Sequence, residues 1–218
     1  MTAPLMCGPD RPVVRLAITG DRNRAGKADY TGAFRPEARI YAAGKGRPPG
    51  TGHVVAVSLG QGRPARRKAV EAAIAEHRPT ELALFCHGTR RSIELGYDTS
   101  TVGRLAAALA EVGCARVGLY ACLTAIDPRR GFAARLRDAM VEAGLEGVRV
   151  LGHAQAGHTS RNPRDVLFKE PVGAEGEEIV PPGSPLWRAW CARQRATDDP
   201  LRWQVLDHPA EEIRRMLR

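Results

Sequence analysis

Aromatic residues are scarce, at 5% of the 218 positions, and they do not interleave with basic residues. The stacking platform of a single-stranded nucleic-acid binder is therefore missing. No stretch approaches the roughly 20 apolar residues of a membrane span. Met1 to Pro12 also lacks the long apolar core of a signal peptide, so a cytoplasmic protein with no membrane partner is expected. The five cysteines (7, 86, 114, 122 and 191) are odd in number and scattered, with no CxxC pair. That argues against a disulfide framework or thiolate zinc site and for free thiols in a reducing compartment.

Acidic residues are almost absent from the first third. Residues 1–70 hold 13 Lys/Arg against 4 Asp/Glu, whereas residues 71–218 hold 20 of each. A basic patch of this kind suits nucleic acid, a membrane surface or an acidic substrate. Of the 33 basic residues only 4 are lysine, however, and so uniform an arginine bias fits coding composition as well as phosphate binding.

The hydrophobic content, 43%, suffices for one sizeable core. Val13 to Ile18, Val54 to Leu59, Leu82 to Cys86, Arg116 to Ala121 and Val148 to Leu151 read as buried strands. Helical patterns over Ala65 to His77, Thr101 to Val112 and Gly131 to Ala143 separate the later strands. Ser100 or Thr99 is expected to cap the second of these, and Gly113 to end it. Strands alternating with helices of this length imply βαβ units and a parallel sheet.

Residues 20–52 form a basic Gly/Arg-rich loop in which Phe34 to Tyr41 is a short ordered piece. Residues 1–160 are expected to be the core and 161–218 a C-terminal extension packed on it. Short strands are expected there at Val166 to Phe168 and Glu178 to Val180. A helix Leu186 to Arg195 follows, capped by Ser184 with Pro185 at its first position, and then another over Pro209 to Leu217. Trp187, Trp190 and Trp203 are read as packing of this helical appendage. The segment Gly20 to Ala28 is not a phosphate loop: five residues separate Gly20 from Gly26, and Ala28 stands where Walker A needs Ser or Thr.

Two hydrophobic runs end on chemically useful residues, Leu82-Ala-Leu-Phe-Cys-His87-Gly88 and Val117-Gly-Leu-Tyr-Ala-Cys122. As neighbouring parallel strands they bring a histidine and a cysteine to one sheet edge, about 5 Å apart laterally, where open α/β folds build sites. An imidazole beside a thiol is the arrangement of nucleophilic catalysis. Gly88 permits close approach of a substrate carbonyl, and the N–H groups of Gly88 and Cys122 suit an oxyanion hole. The loop Gly152 to Pro163, with His153 and His158, is expected to border the cleft and contact substrate. A metal site is not expected, because no acidic or thiolate ligand is spaced to complete one with these histidines.

These runs resemble those of the caspase-like cysteine peptidases, the group of caspases, legumains, clostripains, gingipains, separases and CHAT-domain proteases. There a strand ending in His-Gly precedes one ending in Ala-Cys. The match spans roughly residues 13–155 and is closest to clostripain-like enzymes, whose Asp-Ala-Cys-Leu-Met is Tyr120-Ala121-Cys122-Leu123-Thr124 here. The resemblance implies a three-layer α/β/α fold with a mostly parallel sheet, a protein or peptide substrate and no cofactor. It further implies Cys122 as nucleophile, His87 as general base and acid, and Gly88 as an oxyanion donor. Tyr120 takes the substrate-contacting place of the aspartate that selects a basic residue before the scissile bond, so Tyr120 is expected to contact substrate but a Lys/Arg preference is not implied. Caspases hold an acidic residue with arginine from the end of the first strand, where this chain has Arg22 and Arg24. The alternative expectation is a non-catalytic caspase-like module that binds protein or nucleic acid through the basic first third.

Overall fold

The computed structural model describes residues 12–21, 34–44, 49–157, 162, 164–180, 185–193, 210 and 218. Among the described residues twelve elements run in the order β1 Val13–Gly20, α1 Phe34–Ala43, β2 Gly50–Val57, α2 Arg63–His77, β3 Glu81–Phe85, α3 Val102–Val112, β4 Arg116–Tyr120, α4 Phe132–Glu142, β5 Arg149–His153, β6 Asp165–Lys169, β7 Glu177–Ile179 and α5 Pro185–Arg193. The strands form one seven-stranded sheet in the order β2-β1-β3-β4-β5-β6-β7. The first five pair in parallel; β6 and β7 are antiparallel. The fold is α/β in three layers, as expected.

Strand alternation sorts the core into two faces. Leu16, Ile18, Leu82, Leu84, Val117, Leu119 and Val150 enter the larger cluster with Ile74 of α2, Leu105 of α3 and Leu136 of α4. The intervening residues Ala17, Ala83, Phe85 and Tyr120 enter a smaller cluster with Phe34, Ala38, Tyr41 and Ala42 of α1. These four α1 residues are spaced i, i+4, i+7 and i+8, the stripe that seats a helix on a sheet. The short ordered piece expected inside the basic segment is this helix. Residues 22–33 and 45–48 of that segment, including the Gly20 to Ala28 stretch beyond residue 21, lie outside the described residues, and residues 50–52, expected as loop, open β2.

Other departures are local. β6 and β7 extend the core sheet, so the sheet does not end near residue 160. Neither Ser100 nor Thr99 caps α3. Thr101 is its N-cap without a side-chain cap bond, and the preceding turn is held by Asp98 Oδ1, which accepts from the N–H groups of Ser100 and Thr101. The Ser100 hydroxyl, followed by Thr101 and the Ser100 N–H, lowers the Asp98 carboxyl to about 2. Gly113 ends α3 with φ 69°, as expected. Ser184, most of the last expected helix, all of Trp203 and the side chains of Trp187 and Trp190 lie outside the described residues.

Gly118 belongs to the α1 face, where a Cβ would lie 2.8 Å from Cε2 of Tyr120. Glycine here lets the Tyr120 ring lie back along its own strand. Gly118→Ala is therefore expected to displace the ring and destabilise the fold by about 1–3 kcal/mol, the usual cost of overpacking. Urea unfolding reads this directly, and an unchanged midpoint would mean that the ring does not need the space.

Candidate active site

β3 and β4 are adjacent and parallel, with Phe85 opposite Tyr120. These two rings stack at 4.5 Å and 3° on the α1 face. One residue further, Cys86 and Ala121 point into the opposite, larger cluster. His87 and Cys122 follow one step further, each two residues beyond the last ladder pair, Phe85 and Tyr120. The His87 ring meets Phe34 of α1 edge-on at 5.1 Å, which fixes its face independently. Both residues are partly exposed, whereas Cys86 is buried. Burial, with Glu94 adding to it, pushes the Cys86 thiol up to about 12. Of the two strand-end cysteines, only Cys122 is therefore a thiol that a substrate can reach.

The chain turns sharply at this point. Leu123 has φ 61°, a left-handed conformation that costs a non-glycine residue about 1–2 kcal/mol. Several bonds hold the turn. The Leu123 N–H donates to Gln155 O at 3.4 Å, the Ala125 N–H to His153 O at 3.0 Å, and the Thr124 hydroxyl to Ala121 O at 3.0 Å. The turn leaves Cys122 at the strand tip. α4 begins at Phe132, and its first turn reaches this turn, the Ala133 N–H donating to Thr124 O at 3.0 Å.

Gly88 approaches this tip closely. A Cβ on it would lie 2.8 Å from Ala121 Cβ and from Cys122 O, so no other residue fits without displacing the Cys122 backbone. Gly88 also forms an antiparallel bridge with Ile93. The bonds that define the bridge run from Glu94 N–H to His87 O and from Thr89 N–H to Ser92 O. In such a pair the N–H of the bridged residue itself points away from the partner strand, leaving the Gly88 amide directed away from Ile93. A second tie joins the two strand-end loops: Arg90 contacts Asp127 at 2.5 Å, and the Phe132 N–H donates to Arg90 O at 2.9 Å.

The β5–β6 loop borders the thiol, as expected. Cys122 Sγ lies 3.7 Å from Gly157 O, and Gln155 O accepts from both Leu123 N–H and Asn162 Nδ2. The substrate contacts expected from Tyr120 and His153 differ from what their burial allows. Tyr120 is 9% exposed and His153 1%, so these rings form the floor under the site instead of its surface. Tyr120 packs against Phe85, Tyr41 and His153, and His153 stands opposite Asp165 with Nε2 to Oδ1 at 3.5 Å. Arg22 and His158 lie outside the described residues. No group of three or more His, Cys, Asp or Glu is arranged to hold a metal ion among the described residues.

Sequence reasoning missed Asp165, Phe34 and the strained Leu123. Phe34 was visible within an ordered piece but not its contact with His87. Asp165 becomes a partner only through antiparallel pairing, and a left-handed leucine leaves no mark in the sequence.

No protein-family model matches the chain, and no curated protein matches it. No helix among the described residues is long and apolar enough to cross a membrane.

Burial lowers the His153 imidazole from 6.5 to about 4, and burial raises the Asp165 carboxyl. An ion pair would drive both the other way, so at this separation the neutral forms prevail. Between pH 6.5 and about 4 the unfolded chain binds a proton on residue 153 that the folded chain refuses. Folding stability conferred by neutral His153 is therefore present above that window and is lost as pH falls through it, by at most about 3 kcal/mol. Asp165 acts in the opposite sense, so the comparison belongs in an Asp165→Asn background. There, adding His153→Gln should remove the acid-side loss seen in chemical denaturation from pH 7 to 4. Parallel stability curves for the two variants would contradict the assignment.

Proposed function

We propose that the protein is a cytoplasmic, caspase-like cysteine peptidase. The observation that supports the proposal is the parallel register of β3 on β4, which ends with Phe85 opposite Tyr120, two residues before His87 and Cys122, and leaves the Gly88 backbone against Cys122. In the reaction proposed, His87 takes the Cys122 thiol proton as the sulfur attacks the carbonyl carbon of a peptide bond. The carbonyl π electrons move to oxygen, and the N–H groups of Gly88 and Cys122 donate to that oxyanion. Collapse of the intermediate expels the amine, protonated by His87, and leaves a Cys122 thioester. Water, deprotonated by His87, attacks the thioester, and the acid product leaves as the thiol is restored. Water is the only co-substrate required.

A panel of peptidyl acyloxymethyl ketones, varied at the residue before the warhead, tests this. Wild type should be labelled on Cys122; Cys122→Ala should lose the label, and His87→Ala should slow labelling and cleavage by about 10²–10⁴-fold, the usual worth of general acid–base catalysis. Circular dichroism should remain that of the wild type in both variants. Labelling that persists in folded Cys122→Ala would reject the proposal. Salt-sensitive binding of a partner that is indifferent to Cys122→Ala, with no turnover, would favour the non-catalytic module instead.

A further inference from the structure

Arg66 of α2 is 7% exposed, and the partners of its guanidinium among the described residues are all main-chain carbonyls. Its Nε donates to Gln61 O at 2.8 Å, Nη2 to Leu59 O at 2.9 Å, and Nη1 to Glu94 O at 2.7 Å. Leu59 and Gln61 belong to the connection between β2 and α2, whereas Glu94 lies in the hairpin that follows His87. The Glu94 N–H in turn donates to His87 O at 2.9 Å. The peptide groups on either side of one residue thus join a buried cation to the histidine.

Neighbouring contacts bind the same hairpin to α2. Arg67 Nη1 donates to Gly96 O at 2.8 Å, and Gly96, at φ 103°, is so close to Arg63 O that a Cβ would lie 2.6 Å from it. The Tyr97 hydroxyl donates to Arg67 O at 3.3 Å. The far strand of the hairpin is therefore anchored, and the near strand, which carries Gly88, is tied to it by the bridge between Gly88 and Ile93. Burying a guanidinium without a carboxylate beside it is costly, and replacing such charges by apolar residues is often neutral or stabilising. Three carbonyls fixed at once by one planar fork give orientation that a point charge does not supply.

We propose that Arg66 is a positioning residue, setting through Glu94 the placement of the His87 imidazole and the Gly88 amide relative to Cys122. The inference rests on the peptidase proposal and adds to it a residue that touches neither substrate nor thiol.

Arg66→Lys and Arg66→Met, purified as full chains, provide the test. The lysine variant reaches one of the three carbonyls and should remain folded. It should lose at least tenfold in kcat with KM within twofold of wild type, and the methionine variant should lose more. Hydrogen exchange of the Glu94 amide should accelerate at least tenfold in Arg66→Lys while amides of β3, such as Leu84, are unchanged. A folded Arg66→Lys with wild-type kcat and wild-type Glu94 exchange would overturn the inference. So would a loss of kcat that disappears on cooling to where the variant is fully folded, because that loss would be stability alone. Failure of the peptidase proposal is read separately, as labelling that survives Cys122→Ala; the Glu94 exchange still reports whether Arg66 holds the hairpin.

Discussion

The parallel register of β3 on β4 is the constraint on which the rest depends. With Phe85 opposite Tyr120, alternation sends Cys86 and Ala121 into the main core; His87 follows against Phe34 of α1, and Cys122 follows at the tip of β4. A slip of one residue would move the core-facing residues of β4, Val117 and Leu119, to the other side of the sheet. The stacked rings of Phe85 and Tyr120 resist such a slip, because a one-residue shift would move one ring to the opposite face. The aromatic pair that fills the floor thus also fixes which cysteine is reachable. Cys86, one position from His87 in sequence, is committed to the core by the same alternation.

Beyond the last ladder bond the two chains are kept together by main-chain contacts. Gly88 lies against the Ala121–Cys122 peptide, Leu123 adopts a left-handed turn, and the β5–β6 loop supplies carbonyls at Gln155 and Gly157. The histidine side is organised in the same way, through Glu94 and the carbonyl clamp of Arg66. Strain at Leu123 persists because the neighbouring bonds determine the turn from both sides. In the proposed site, the placement of His87 and Cys122 rests on the loops that approach them.

Much of this was legible in the sequence because buried parallel strands are short apolar runs that local composition marks well. The five parallel strands, the helices α2 to α4 and the Gly113 terminus all follow from such signals. The candidate pair His87 and Cys122 stands out in the sequence for the same reason, since both residues end such runs. What local pattern could not supply was pairing. Val166 to Phe168 reads as a strand, but its return beside β5 comes from antiparallel contacts, and with it comes the partnership of His153 with Asp165. That partnership turns an expected wall residue into a buried one. α1 was underestimated because Gly, Arg and Pro on both sides obscured a stripe of four residues on one helix face. Thr101 takes the α3 cap from Ser100 and Thr99 because the Asp98 carboxylate already organises the turn before it.

The most direct test of the account is a crystal structure of the full chain carrying a peptide aldehyde as a hemithioacetal on Cys122. The account predicts the adduct on the α1 face, its oxygen within hydrogen-bond distance of the Gly88 or Cys122 N–H and the His87 imidazole beside the sulfur. An adduct oxygen pointing away from both amides, or an imidazole turned from the sulfur, would contradict it.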